Sequence, residues 1–382
     1  MTIKHKKIPN GWEVMKLINY SKIFDGTHQT PHYVNEGIPF YSVEHVTSND
    51  FKKTKFISEN VYFTETKRIE RGDILMSRIG DIGTAKFVDW NVQASFYVTL
   101  ALIKCEDTVN AKFITYLINS QNFQREIWGK TIHVAFPNKI NLGDIGKCES
   151  LLPPLHEQNR IVSVLETWDS YLKKLEKKIE TKRKIKKGLM QQLLTGKKRL
   201  PGFSKKWGKI ALGKICKIQT GKKDVNQGNH NGIYPFFTCA KQHTYSDTYS
   251  FDCDAILIAG NGDVGNCQFY SGKFEVYQRT YLLNDFKIFI HYIFPYLKHF
   301  FQNTISIQKQ MGAMPYIKLE TIQNFNINIP HSNLEQNAIA KILITADEEI
   351  EVLEKQKEKY EDQKKYLLNN LITGKIRVPK ND

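Results

Sequence analysis

Residues Glu157 to Pro201 read EQNRIVSVLETWDSYLKKLEKKIETKRKIKKGLMQQLLTGKKRLP, and Glu335 to Pro379 read EQNAIAKILITADEEIEVLEKQKEKYEDQKKYLLNNLITGKIRVP. The two stretches align without a gap at a constant offset of 178. Glu157, Leu165, Asp169, Leu175, Thr195, Gly196 and Pro201 fall on Glu335, Leu343, Asp347, Leu353, Thr373, Gly374 and Pro379. In the first copy Ile161, Leu165, Trp168, Leu172, Leu175 and Ile179 recur at alternating steps of four and three, and the phase slips before Leu189 and Leu193. In the second, Ile339, Leu343, Ala346, Ile350, Leu353, Tyr360 and Leu367 keep a heptad frame that Lys357 and Lys364 interrupt. A sustained repeat near 3.5 residues is a coiled-coil seam. About forty helical residues reach about 60 Å. Both copies close on Thr-Gly-Lys, which predicts a glycine C-cap with a lysine near the negative end of the helix dipole.

Each seam could pack on its own globular segment, or the two could pair with each other. Antiparallel pairing relates the halves of the chain by a pseudo-two-fold axis and puts one globular segment at each end of the rod. The flanks favour this cyclic arrangement. The second helix ends in IRVP as the first ends in KRLP, and the opening IPNGW resembles PGFSKKW after the first helix.

The globular segments also repeat, more faintly. Trp12, Leu17, Ile23 and Gly26 match Trp207, Leu212, Ile218 and Gly221, GIPFY at 37–41 answers GIYPFF at 232–237, and GDILMSRIGDIG at 72–83 answers DAILIAGNGDVG at 254–265. Short β-type runs (ILMSRI, FYVTLALI, AILIA, VYQRTYLL) separated by Gly, Asn and Asp turns pass into the helical stretches KFITYLINSQNFQREIW and IHYIFPYLKHFFQ. The expected fold is α+β, with two similar globular domains joined by two long helices. The expected boundaries are 1–152, 153–200 for the central helix, 201–330, and 331–382 for the C-terminal helix.

At 382 residues each domain has room for its own core. No apolar run is long enough for a membrane span, and the basic N-terminus lacks the apolar stretch of a signal peptide, which points to the cytoplasm. The net charge of +16 favours a polyanionic partner, nucleic acid ahead of lipid. The charge is uneven: +8 over 157–200 against −1 over 335–382, so the helices attract each other and the first is free to lie near phosphate.

Catalytic motifs are missing. No phosphate-binding loop exists, since Gly129-Lys130-Thr131 has Gln124 where the first glycine belongs. No Asn-Pro-Pro-aromatic or Asp-Pro-Pro-aromatic methyltransferase stretch is present, nor H-E-x-x-H or G-x-S-x-G. Pro31 between His28 and His32 argues for a loop rather than a metal-binding helix face, and Asp81 and Asp263 between glycines read as turn residues. The six cysteines form no C-x-x-C pair, and Cys239, Cys253 and Cys267 match no zinc spacing. No catalytic and no metal-ligating residue is expected.

The chain resembles the DNA-specificity subunit of type I restriction–modification systems over essentially its whole length. The resemblance rests on LPPLHEQNRI (152–161), its echo IPHSNLEQNAI (329–339), the LTGK and ITGK helix ends and the paired G-D turns. It implies two target-recognition domains, each reading one half of a split double-stranded DNA site, and an antiparallel coil that sets the unread spacer. It implies two modification subunits that methylate adenine with S-adenosylmethionine and two restriction subunits that use ATP and Mg, with no cofactor bound by this chain. The alternatives are a methyltransferase or nuclease carrying its own target domains, which the missing motifs oppose, and a coiled-coil DNA-binding scaffold.

A DNA reader places Arg on guanine, Asn or Gln on adenine, and Lys on phosphate. The polar and Gly-rich connections nominate Lys22, Thr27, His28, Gln29, Arg78 and Lys86 in the first domain. In the second they nominate Lys222, Lys223, Gln227, Asn229, Lys241, Gln242, Asn261 and Asn266.

Overall fold

The computed structural model describes residues 8–65, 67–134, 136–308 and 316–379. The chain forms two compact units: residues up to Leu175 together with those from Lys357 onward, and Glu176–Gln356. Each compact unit takes half of each long helix, because a lone helix buries its apolar stripe only against something else.

In the first unit an antiparallel sheet runs in the order Ser21–Asp25, Leu100–Cys105, Ile74–Ile79 and Asp81–Phe87. ILMSRI is buried from Ile74 to Arg78 because both faces of the sheet are covered. Ile74 and Met76 point into a core with Phe113, Leu117 and Ile127, while Leu75 points to the other side with Phe96 and Leu102. Period-two alternation sends neighbours to opposite faces. A smaller sheet (Tyr33–Val34, Lys55–Ile57, Ile38–Tyr41, Ser95–Phe96) lies alongside in sequence, and Glu13–Lys16 pairs with Glu149–Leu152. The stretch expected as one helical passage is two helices, Ala111–Ile118 and Gln121–Lys130, because Ser120 caps the second and interrupts the first.

The second unit repeats the plan with one six-stranded sheet, ordered Lys217–Thr220, Thr280–Asn284, Phe251–Ala259, Cys267–Val276, Tyr234–Phe237, Thr244–Ser246. AILIA takes the place of ILMSRI, with Ile256 and Ile258 in one core and Ala255 and Leu257 in the other. Gly208–Ala211 pairs with Asn326–Ile329 as the N-terminal strand does in the first unit, and a single helix, Ile290–Gln308, replaces the broken pair.

The repeated stretches form helices Leu155–Leu193 and Asn333–Leu371, each of 39 residues. They run antiparallel within both units. In the first, Asp169 pairs with Lys364, and Tyr360 meets Trp168 and Tyr171 edge-on at 5.8 and 5.1 Å. In the second, Lys182 meets Glu349 and Arg183 meets Glu354, both at 2.6 Å, and Lys186 pairs with Asp347. The charge contrast between the copies is thus used across the pair in the second unit and reversed in sign at Asp169–Lys364.

Seam positions serve two purposes. Ile161 and Leu165 join the first unit's core with Trp12 and Leu371, and Ile339 and Leu343 join the second unit's with Met190 and Leu193. Leu175, Ile179, Ile350 and Leu353 are buried as well. Trp168, Leu172, Ala346, Tyr360 and Leu367 are half-buried. After the phase slip Met190, Leu193 and Leu194 take over the buried face. Both helices end alike: Gly196 and Gly374 adopt φ of +71° and +65°, and the amides of Lys198 and Ile376 reach back to Gln192 and Asn370.

One ionic motif fastens each helix start. Glu157 is 2% exposed and receives a fork from Arg377 (Nε to Oε1 2.5 Å, Nη2 to Oε2 2.7 Å) and the indole N–H of Trp12 at 3.0 Å. Glu335, also 2% exposed, receives the same fork from Arg199 (2.7 and 2.9 Å) and the indole of Trp207 at 3.3 Å. The next residue ties the preceding prolines: Gln158 donates to Pro153 at 2.8 Å and Gln336 to Pro330 at 2.9 Å. Removing the carboxylate leaves a guanidinium and an indole without their acceptor. Glu157→Ala is expected to destabilise the first unit by about 3–5 kcal/mol, and Glu335→Ala the second. Urea unfolding followed by tryptophan fluorescence checks both.

Candidate nucleic-acid interface

In the first unit, the sheet end formed by Asp25, Leu100, Ile79 and Asp81 carries four connections, and Arg78 holds them together. Its Nε donates to Val98 O at 3.0 Å, Nη1 to Ile140 O at 3.2 Å, and Nη2 to both Asp25 oxygens at 3.1 and 3.2 Å. Asp25 in turn meets His28 Nε2 at 2.7 Å. The chain can run this close to the Tyr97 backbone only because residue 26 is glycine: a Cβ would lie 2.5 Å from it. Thr27 is then stitched to Phe96 and Val98 by backbone hydrogen bonds of 3.1 Å. Asp81, expected as a turn residue, is the first residue of the strand Asp81–Phe87 and accepts from Ser77 at 2.7 Å.

The second unit builds the same place with other side chains. A Cβ on Gly221 would lie 1.7 Å from Val276 O, and the amide of Gln278 donates to Lys223 O at 3.0 Å, as Val98 does to Thr27. Gly260 N donates to Arg279 O at 3.0 Å, matching Arg78 N to Thr99 O at 2.9 Å. Lys223 Nζ is surrounded by Ser246, Thr248 and the buried Glu275 at 2.8, 2.6 and 3.2 Å. Asp224 accepts from Gln278 at 2.7 Å, and Asn229 donates to Asp247 at 3.0 and 3.1 Å.

The nominated residues separate on this geometry. His28 and Gln29 are exposed on the first unit's loop end. Thr27 is half-buried and its hydroxyl is enclosed. Arg78 is 7% exposed with its donors engaged inside the protein, which corrects its reading as a base-facing arginine. Lys22 and Lys86 sit at the opposite end of the sheet, since Lys22 pairs with Lys104 and Lys86 with Leu75. That end approaches the cleft of Gly72, Phe87, Asn110, Asn159 and Glu166, which corrects their grouping with the loops.

In the second unit Lys222, Gln227, Asn229, Lys241 and Gln242 are exposed, Asn261 and Asn266 are half-exposed, and all lie on connections at one end. Lys223 is an anchor for Glu275 rather than a free cation, a second correction. Sequence reasoning missed Arg279, exposed between Gln278 and Thr280. Matching FYVT at 96–99 with VYQR at 276–279 residue for residue would have located it, opposite Thr99.

Burial pushes the thiol pKa of Cys105, Cys148, Cys216 and Cys267 up to about 12. Among the described residues no group of three His, Cys, Asp or Glu side chains is placed to hold a metal, and no helix is long and apolar enough to cross a membrane.

Two versions of one loop-bearing surface, with a shared scaffold and different side chains, define a protein that binds through a duplicated recognition domain. The chain belongs to the type I restriction–modification DNA-specificity family: the family model described as the type I restriction modification DNA specificity domain matches residues 9–185 and 204–361. It is 34% identical over 145 residues to the type I restriction enzyme EcoDI specificity subunit of Escherichia coli, a match that spans 38% of this chain and 32% of that one. It is 25% identical over 418 residues to the MjaVIII specificity subunit of Methanocaldococcus jannaschii, covering 97% of this chain and 94% of that one. The fold is like that of the type I restriction–modification S subunit from M. genitalium, with a TM-score of 0.63 at 18% identity, over 97% of this chain and 99% of that one. As a specificity subunit the chain is a DNA-recognition component and not an enzyme.

The buried and exposed cations predict opposite outcomes. Arg78→Ala strips Asp25 of its guanidinium, leaving it only His28 and the Gly26 amide, and is expected to cost about 3 kcal/mol of stability. Lys222→Ala and Lys241→Ala are expected to stay within about 0.5 kcal/mol of wild type. Urea denaturation midpoints separate the two classes.

Proposed function

We propose that each unit reads one half of a split, asymmetric DNA site through its loop end, and that the paired helices set the unread spacer between the halves. The observation that carries this reading is the duplicated loop end itself: the close backbone approach at Gly26 and Gly221 and the backbone stitching are kept, while the side chains presented are not. Gln278 stands where Val98 stands, and Arg279 stands where Thr99 stands. Equal scaffolds suit a duplex whose half-sites are related by a dyad, and unequal side chains suit half-sites of different sequence. Gln29 in one unit and Arg279, Gln242 and Asn261 in the other are the base readers, and Lys222 and Lys241 meet phosphate.

Two modification subunits dock on the outer faces of the long helices, where Ile185, Val352 and Tyr366 are apolar and exposed and the lysines of the first helix are solvated. Those subunits bring S-adenosylmethionine, and two restriction subunits bring ATP and Mg. The assembly works in the cytoplasm, where the DNA is.

Co-expression with the methyltransferase subunit, followed by sequencing of modified adenines, is expected to yield a two-part motif. Absence of any motif with a folded complex would overturn the reading. Alanine at Arg279 or Gln29 is expected to cost about 1–3 kcal/mol of binding and to relax one base position. Alanine at Lys241 is expected to weaken all sequences alike and to lower the salt slope by about 1. Inserting a heptad into both helices lengthens them by about 10 Å and is expected to widen the spacer by about 3 base pairs. An unchanged spacer excludes the helix as ruler.

A further inference from the structure

One segment of the first unit presents apolar side chains to solvent with no intramolecular use for them. Residues 131–134 and 136–140 belong to a narrow finger. Its neck is closed by the amide of Ile132 donating to Lys139 O at 2.8 Å and by Thr131 N donating to Trp128 O at 3.2 Å. The His133 ring packs on Trp128 at 4.3 Å between centroids, with Nε2 3.1 Å from the Trp128 carbonyl. Beyond this ordered neck Val134 is 97% exposed and Phe136 104%, and Pro137 is exposed beside it. A loop whose role was to cover the core would bury these groups.

The finger is rooted on the candidate interface. Gly80 N donates to Asn138 O at 2.9 Å and Ile140 N to Arg78 O at 3.0 Å. The turn that Arg78 ties to Asp25 and Val98 therefore also carries the finger. Its charge selects the partner. No acidic residue occurs between Glu126 and Asp144, while Lys130, His133 and Lys139 flank the tip. Lys130 is paired with Glu126 at 3.1 Å, but Lys139 is exposed and has no side-chain partner among the described residues. Cations around an apolar tip suit a polyanion that also offers apolar faces, which is what stacked bases between two phosphate backbones are.

We propose that this finger is a wedge for duplex DNA: Phe136 and Pro137 enter a groove and lodge against a base step of the first unit's half-site, while Lys139 and His133 face the phosphates. Aromatic and proline side chains placed this way unstack a step and bend the duplex toward the protein, which adds deformability of that step to what is read. The proposal rests on the first unit being a DNA reader. The second half of the sequence has Ala-Met-Pro at 313–315 where the finger has Ala-Phe-Pro at 135–137, and that stretch lies outside the described residues. It is followed by Ile317, whose amide donates to Gly260 O at 2.9 Å as that of Ile140 does to Arg78.

The test uses the full chain in complex with its methyltransferase subunit and a duplex carrying the methylated motif, with 2-aminopurine placed at successive positions of the first unit's half-site. On binding by wild type one step is expected to brighten as it unstacks. Phe136→Ala is expected to abolish that signal and weaken binding about tenfold, whereas Phe136→Leu keeps most of both. Lys139→Ala is expected to lower affinity and salt slope while leaving the brightening in place. Equal affinity and equal fluorescence for wild type and Phe136→Ala would overturn the wedge. So would a Phe136→Ala chain that binds DNA normally but no longer retains the methyltransferase subunit, which would make the finger a protein contact. A wild-type complex that binds no duplex selectively would refute the DNA-reading role itself, before any variant is compared.

Discussion

The buried carboxylates Glu157 and Glu335 are the points on which each unit closes. Each sits at the start of a long helix, and each takes a guanidinium fork from the tail that follows the other helix and an indole N–H from the strand that opens its own unit. Three stretches distant in sequence therefore meet at one charge. A carboxylate out of water is costly unless its oxygens are met, and here both take a guanidinium N–H and one of them an indole N–H as well. The motif fixes chain closure more than it adds stability: a strand, a helix start and a helix end can satisfy it in one arrangement only.

Above that clasp the two units diverge where binding is concerned and agree where the backbone must fit. Gly26 and Gly221 are kept because another strand's backbone occupies the space of a Cβ. The stitching of Val98 to Thr27 and of Gln278 to Lys223 uses main-chain atoms, so the side chains at those positions are free to differ. The interior of the loop end is likewise solved in two ways. Arg78 with Asp25 does in one unit what Lys223 with Glu275, Ser246 and Thr248 does in the other. Both charges are held inside and cross-link loops that would otherwise move independently.

The long helices show how one seam answers to two neighbours. Ile161, Leu165, Ile339 and Leu343 have the spacing of a coiled coil, yet they lie in the cores of the globular segments. Toward the middle the helices face each other, with larger half-buried groups such as Trp168 and Tyr360. Heptad spacing states that an apolar face exists and leaves open what covers it. The strongly basic first copy and the slightly acidic second are matched locally, in the ion pairs of residues 182–186 with 347–354.

The sequence by itself determined the duplication, the α+β class, the two long helices with their glycine ends and the family, because each of these is written in periodicity or in residues aligned at constant spacing. Much of the candidate site was legible too: turns rich in Gly, Asn and Gln announced the loops that gather in the second unit, along with His28 and Gln29 in the first. Only the tertiary structure decided which polar residues stay available for a partner. Arg78 looked like Lys222 or Gln29 in a polar connection, but it lies within reach of Asp25, Val98 O and Ile140 O and turns inward to them. Lys22 and Lys86 lie on strands whose loops do face the site, and strand direction carries them to the far end of the sheet. Phe136 is apolar, and its place past a closed neck leaves it in water. Burial of a charge or exposure of a ring depends on contacts between residues far apart in the chain, and no local pattern records them.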